Sequence, residues 1–170
     1  FRRVLFRSGA PMDFTVSFRP GARFGPEKIR SVSIVLEEYS HYLSKDLSCL
    51  NFFDAGDLTL PFGNVEKSLA LIRDAADRFF SDNKFLVLLG GEHLVSFPVI
   101  QAAFAKYPEL RVIQLDAHAD LRTDYEGEAN SHATVIRKTA ELIGDHRVYQ
   151  LGIRSGTKEE FEYAKEHTHL

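Results

Sequence analysis

The chain has 170 residues, 44% of them hydrophobic, and 21 basic side chains against 24 acidic ones leave a net charge of −3. That length suits one domain able to bury roughly 70% of its unfolded surface, and no block of lysine or arginine reaches the scale that a phosphate backbone demands, which argues against a nucleic-acid partner. No apolar run approaches the ~20 residues needed to cross a bilayer, and Cys49, the single cysteine, excludes a cysteine zinc cluster and fits a reducing, cytoplasmic setting.

The opening "FRRVLFRS" is too short and too broken by arginine for a secretory signal, and it resembles translated sequencing-adaptor text. Residues 1–8 are therefore set aside as non-native, and the domain is expected over 9–170. "TVSFRPGARFGP" (Thr15–Pro26) is a long loop rich in glycine, proline and arginine. It is either plain turn chemistry or a ligand-contacting loop. Pro26, at a favourable first-turn position, opens a helix expected to reach Tyr39. "NFFDAGD" holds Asp54 and Asp57, to which no metal is assigned, and Val65–Phe80 is a second helix.

From Phe85 the pattern alternates. Phe85–Leu89, Arg111–Leu115 and Arg147–Leu151 are short aliphatic runs without clean alternation, as expected of parallel strands buried on both faces. Between them, Leu94–Tyr107 carries helical spacing and stops at Pro108, and Ala133–Ile143 follows Ser131 as N-cap and ends at Gly144. Such alternation predicts an α/β fold with a mainly parallel sheet and right-handed crossovers. The last stretch, "EYAKEHTHL", is again helical in pattern and shows no clear stop signal.

In a parallel sheet, ligands bind beyond the carboxyl ends of the strands. Two polar clusters begin there: "LLGGEH" closes one strand and "IQLDAHAD" closes the next. One crossover separates them, so His93 and Asp116 emerge side by side if the two strands are neighbours. Asp116, His118 and Asp120 share one face of an extended chain, yet extended residues four apart lie about 13 Å from each other, too far to grip one ion. Either the strand stops near Asp116 and the chain curls back through Asp120, or the site holds two ions. Carboxylates and imidazoles without thiolate select borderline-to-hard divalent ions such as manganese, and a bridging carboxylate can hold two ions ~3.5–4 Å apart. The plainer reading makes Asp116 and His118 polar caps at a strand end and His93 a satisfied buried histidine. Glu92 adjoins His93 but alternates away from it, which favours a supporting role over ligation. His132 is either a helix-start residue beside Ser131 or part of the site, and its nearness to "DAHAD" favours the site. His41, His146, His167 and His169 are expected at the surface.

"GGEH", "DAHAD" and "SHAT", together with "SFRPGARFGP", "EEYS", "NFFDAGD" and "LGIRSG", resemble the signatures of the ureohydrolase family, the arginase and agmatinase group, with a likeness to agmatinases of bacterial type. The resemblance implies a three-layer α/β/α sandwich, truncated here, with residues 9–170 as the N-terminal portion of a single ureohydrolase domain. It implies a binuclear manganese centre in which His93, Asp116 and Asp120 bind one ion, His118 binds the second, and Asp116 bridges both. His132 matches the family histidine that moves protons near the substrate; no substrate-binding residue is assigned. A later Asp-x-Asp motif completes the family's centre, and none follows Arg154, so the centre is expected to be incomplete in this chain. The implied reaction cleaves agmatine to urea and putrescine. Another member of the group (arginase, guanidinobutyrase or formimidoylglutamase) or a catalytically inert fragment is the competing reading. A small guanidino substrate and, at full length, a homo-oligomer are the expected partners. Agmatine is preferred to arginine because "DYEGEANSH" offers Asp124, Glu126 and Glu128 and no basic residue before His132, a local field suited to a cation.

Overall fold

The computed structural model describes residues 4–170. The sequence-derived strands all form: β5 (Phe85–Gly90), β6 (Val112–Leu115) and β7 (Val148–Leu151). Two more precede them, β1 (Leu5–Ala10) and β4 (Phe52–Asp57), while β2 (Tyr39–Ser40) and β3 (Lys45–Asp46) make a two-residue antiparallel pair. β1 runs parallel between β4 and β5. It starts inside the stretch set aside from the sequence, of which residues 1–3 lie outside the described residues. "LFRSGA" shows no aliphatic run, and Arg7 interrupts it, so no periodicity marks it as a strand.

The helices are α1 (Gly25–Ser33), α2 (Val65–Ser81), α3 (Ser96–Lys106), α4 (Val135–Ile143) and α5 (Lys158–His167). α1 is shorter than its expected Pro26–Tyr39 span. Ile34, Val35 and Leu36 beyond it are exposed and gain nothing from continuing the helix, and Tyr39 and Ser40 pair instead with Asp46 and Lys45. α4 follows its signals closely: Ser131 caps a 3-10 turn over His132–Thr134 through a capping box, and Gly144 ends the helix at φ 97°, a conformation that costs glycine little. α5 does stop. Thr157 and Glu160 form a capping box at its start, and past Thr168 the chain turns extended as His169 exchanges backbone hydrogen bonds with Val148 and Gln150 of β7. No helix among the described residues is long and apolar enough to cross a membrane.

The strands do not form the single sheet expected. β4-β1-β5 and β6-β7 are separate parallel ladders among the described residues, and the crossover helix α3 between β5 and β6 packs on α2 and α4. Burial on both faces, also expected, fails for β6-β7. Val148, Gln114 and Gln150 face the interior, whereas Ile113, Leu115 and Leu151 are exposed. Among the described residues α4 packs on β7, and Val112 and Val148 join the core, whereas the other aliphatic residues that made these runs read as doubly buried lie on an open side. The core gathers Ala10, Met12, Ile72, Leu94, Val95, Leu121, Val135, Ile136 and Val148.

Asp54 ties the first ladder to α1. Its Oδ2 accepts from Arg7 at 2.6 Å and from Arg30 at 2.8 Å, and Arg30 also binds Asp57. The hydrogen bond from Arg30, opposed by burial and aided by the Gly56 N–H and Arg7, holds the Asp54 carboxyl well below the usual carboxylate range. A depressed folded value means that this stabilisation is complete above the unfolded carboxylate value near pH ~4 and is lost as pH falls through the folded one. Asp54→Asn is expected to lower stability in urea denaturation by about 1–3 kcal/mol at neutral pH, with the gap from the parent narrowing near pH ~3. An equal gap at both pH values would contradict the charge-based role.

Candidate metal centre and active-site cavity

β5 ends at Gly90 and delivers Gly91, Glu92 and His93 to the carboxyl end of its ladder; β6 ends at Leu115 and delivers Asp116. The chain then curls. His118 makes an isolated parallel bridge to Ser155, and Asp120 takes a left-handed φ of 51°, which turns its side chain back instead of carrying it onward along an extended path. Of the two arrangements left open by spacing, the strand stop and return is the one observed.

As a result, His93 Nδ1 lies 2.6 Å from Asp120 Oδ2 and 3.7 Å from Asp116 Oδ2. One ligand atom from each of His93, Asp116 and Asp120 falls within 4.8 Å of the others, a group that could hold a metal ion. The second oxygen of Asp116 faces the other way: Oδ1 accepts from the His118 N–H at 2.9 Å and lies 3.5 Å from His118 Nδ1. His118 is 66% exposed and stands outside the three-residue group. His93 and Asp116 thus meet although β5 and β6 are not hydrogen-bonded neighbours.

Two inward-facing glutamines fix this loop. Gln114 and Gln150 are partners in the β6-β7 register. Gln150 Nε2 donates to Gln114 Oε1 at 2.7 Å and to the Ala119 carbonyl at 2.9 Å, while Gln114 Nε2 donates to the His118 carbonyl at 3.0 Å. From the other side the Asp120 carbonyl accepts the N–H groups of Ile136 and Arg137, and buried Glu160 accepts from Leu121. Neither glutamine stands out in the sequence reading. The available signal was a polar residue at the fourth position of both runs, which is unusual inside a buried strand.

Burial raises the Asp116 carboxyl, but the His118 N–H, the nearby His93 and the Gln114 and Ala117 donors outweigh it and leave the group below its ordinary value. Paired carboxylates in a partly dry site with one imidazole beside them are the donor set of a borderline-to-hard divalent cation. These residues fit such an ion by donor type and by their convergence.

The group opens onto a cavity of about 480 Å³, walled by His93, Asp116, His118, Asp120 and His132, and by Val16 and Phe18 from the glycine-rich loop. His132 packs edge-on against Tyr125, ring centroids 5.2 Å apart. The acidic loop does not contribute as expected. Asp124, Glu126 and Glu128 are exposed and absent from the cavity wall, because Asp124 Oδ1 accepts from the Gly127 N–H in a surface turn. Arg122 does line the wall, its guanidinium over the Tyr125 ring at 5.4 Å. Of the histidines placed at the surface, His41, His146 and His169 are exposed, while His167 is half-buried, stacked on Tyr163 and 2.8 Å from Asp145. Asp54 and Asp57 serve Arg7 and Arg30 and lie outside the group.

In this α/β chain with parallel strands, two strand ends present two aspartates and two histidines to one cavity. The chain belongs to the arginase family, whose model matches residues 6–170. It is 64% identical over 158 residues to an agmatinase from Bacillus subtilis (strain 168), a match covering 93% of this chain and 54% of that protein. A Clostridium difficile crystal structure superposes with a TM-score of 0.94 at 42% identity, covering 98% of this chain and 61% of the other. The agmatine ureohydrolase of Thermoplasma volcanium gives a TM-score of 0.85 at 31% identity, covering 94% and 53%. The chain spans about half the length of the curated relatives it matches.

Gly91 sets how closely the two loops beneath the cavity approach. A Cβ there would sit 1.9 Å from the Met12 carbonyl oxygen and 2.8 Å from its nitrogen, both backbone atoms, and the Glu92 N–H donates to that same carbonyl. Gly91→Ala must therefore separate the segments, and it is expected to cost ~3 kcal/mol or more in chemical denaturation. A change within about 0.5 kcal/mol, typical of a surface site, would contradict the packing.

Proposed function

We propose that this chain carries the metal-binding half-site of an agmatinase-type ureohydrolase, which hydrolyses the guanidinium group of agmatine to urea and putrescine. The observation that carries the reading is the division of Asp116. One oxygen lies 3.7 Å from His93 Nδ1 and the other 3.5 Å from His118 Nδ1, so the two ends of this carboxylate are offered to different histidines. On this reading His93, Asp116 and Asp120 would hold one ion and Asp116 with His118 would hold the other, and the oxygen and nitrogen donors favour manganese. When bound, such ions would supply a water nucleophile active near neutral pH.

The chain's own residues supply the remainder. Water adds to the guanidinium carbon, the C–N bond to the departing amine breaks, and that amine needs a proton. On this reading His132, which lines the cavity, would deliver it. The cavity falls in the size range of small-ligand pockets. Agmatine as substrate rests on the likeness to relatives that bear the agmatinase name, since the acidic loop lies outside the cavity wall.

The described residues offer the first ion three protein donors and the second only two. Calorimetric titration of the 170-residue chain with manganese is accordingly expected to show one tighter site, lost in Asp116→Asn, and a urea-release assay little turnover. Two tight sites with ordinary turnover would reveal ligands not assigned here. In a full-length version His132→Ala should keep the metal and slow kcat by roughly 10²–10⁴-fold, and a kcat/KM favouring arginine would overturn the substrate assignment.

A further inference from the structure

His132 is held by a contact that reaches across most of the chain. The Thr15 carbonyl oxygen lies 2.5 Å from His132 Nδ1, and Thr15 Oγ1 accepts the His132 backbone N–H at 3.0 Å, 117 positions apart in sequence. Thr15 is itself clamped. Its N–H donates to Glu92 Oε1 at 2.8 Å and its hydroxyl donates to Glu92 Oε2, and Glu92 is only 5% exposed. Both oxygens of a buried carboxylate are thus spent on one threonine.

The chemistry of these atoms fixes a tautomer. A carbonyl oxygen only accepts hydrogen bonds, so the His132 nitrogen facing it must carry the hydrogen. The hydroxyl of Ser131, 3.2 Å from the same nitrogen, can play either role and does not oppose this. Nε2, on the opposite edge of the ring, is left with its lone pair free and becomes the nitrogen that gains and loses a proton. The threonine hydroxyl has one hydrogen; directed to Glu92, it leaves an oxygen lone pair for the His132 N–H. Removing either Glu92 or the hydroxyl therefore loosens both contacts to His132.

We propose that Thr15 and Glu92 are positioning residues that hold His132 in the Nδ1–H tautomer with Nε2 as its proton-exchanging atom. The inference rests on the reading of His132 as the proton-transfer group, but its test does not need turnover. Nitrogen-15 NMR of histidine-labelled, metal-free 170-residue chain distinguishes the two tautomers, and His132→Gln assigns the signal. The parent chain should show His132 predominantly as Nδ1–H. Thr15→Ser, which keeps the hydroxyl, should match the parent. Thr15→Val and Glu92→Gln should shift the ratio toward Nε2–H by about fivefold, the effect of one net hydrogen bond. A parent signal dominated by Nε2–H overturns the proposal without relying on any variant, and so does an unchanged tautomer in folded Thr15→Val and Glu92→Gln chains. Nδ1–H dominance in a parent whose full-length His132→Ala counterpart turns over normally would uphold the positioning and refute only the proton-transfer role.

Discussion

Asp116 and Asp120 leave one strand end four residues apart and turn back onto the same imidazole, His93. Two carboxylates this close repel each other, and the imidazole between them, 2.6 Å from Asp120 and 3.7 Å from Asp116, or a cation, offsets that repulsion. The backbone leaves them little room to separate. Asp120 sits at positive φ with its carbonyl tied to the first turn of α4, and the carbonyls at 118 and 119 are held by the Gln114 and Gln150 side chains. The remaining features of the site follow from this enforced proximity, because the surrounding elements are arranged to hold it.

The opposite wall is organised from the loop after β1. Buried Asp13 accepts the N–H groups of Gly21 and Arg23 and pairs with the Arg23 guanidinium at 2.6 Å, which closes the loop on itself. Thr15 then joins it to Glu92 and His132, and Val16 and Phe18 face the cavity. Turn chemistry and ligand-facing residues, which looked like competing descriptions of Thr15–Pro26, occupy different parts of the same loop. Gly91 permits this because only a residue without a side chain allows the backbone after β5 to lie against Met12.

Much of this was legible in the sequence where one short segment contained the whole signal. β5, β6 and β7 announce themselves as aliphatic runs, α4 by Ser131 and Gly144, and the convergence of His93, Asp116 and Asp120 by two polar clusters at strand ends. What escaped was non-local. β1 gains its strand from pairing with β4 and β5 and from the Arg7–Asp54 contact, none of which leaves a periodic trace in "LFRSGA". The split into two ladders depends on which edges meet, and hydropathy does not encode that. The link from Thr15 to His132 spans 117 positions. The acidic residues 124, 126 and 128 are a related case: they are close to His132 in sequence, but a surface turn at Asp124 keeps them off the cavity wall.

The carboxylate pair facing His93 is a candidate cation site. Anomalous diffraction from a crystal of this chain soaked in manganese locates the ion without reference to activity. The expected result is a peak within bonding distance of His93, Asp116 and Asp120 on the side of the cavity. Manganese density that avoids these three residues, or its absence at saturating metal with both carboxylates still turned toward His93, would contradict it.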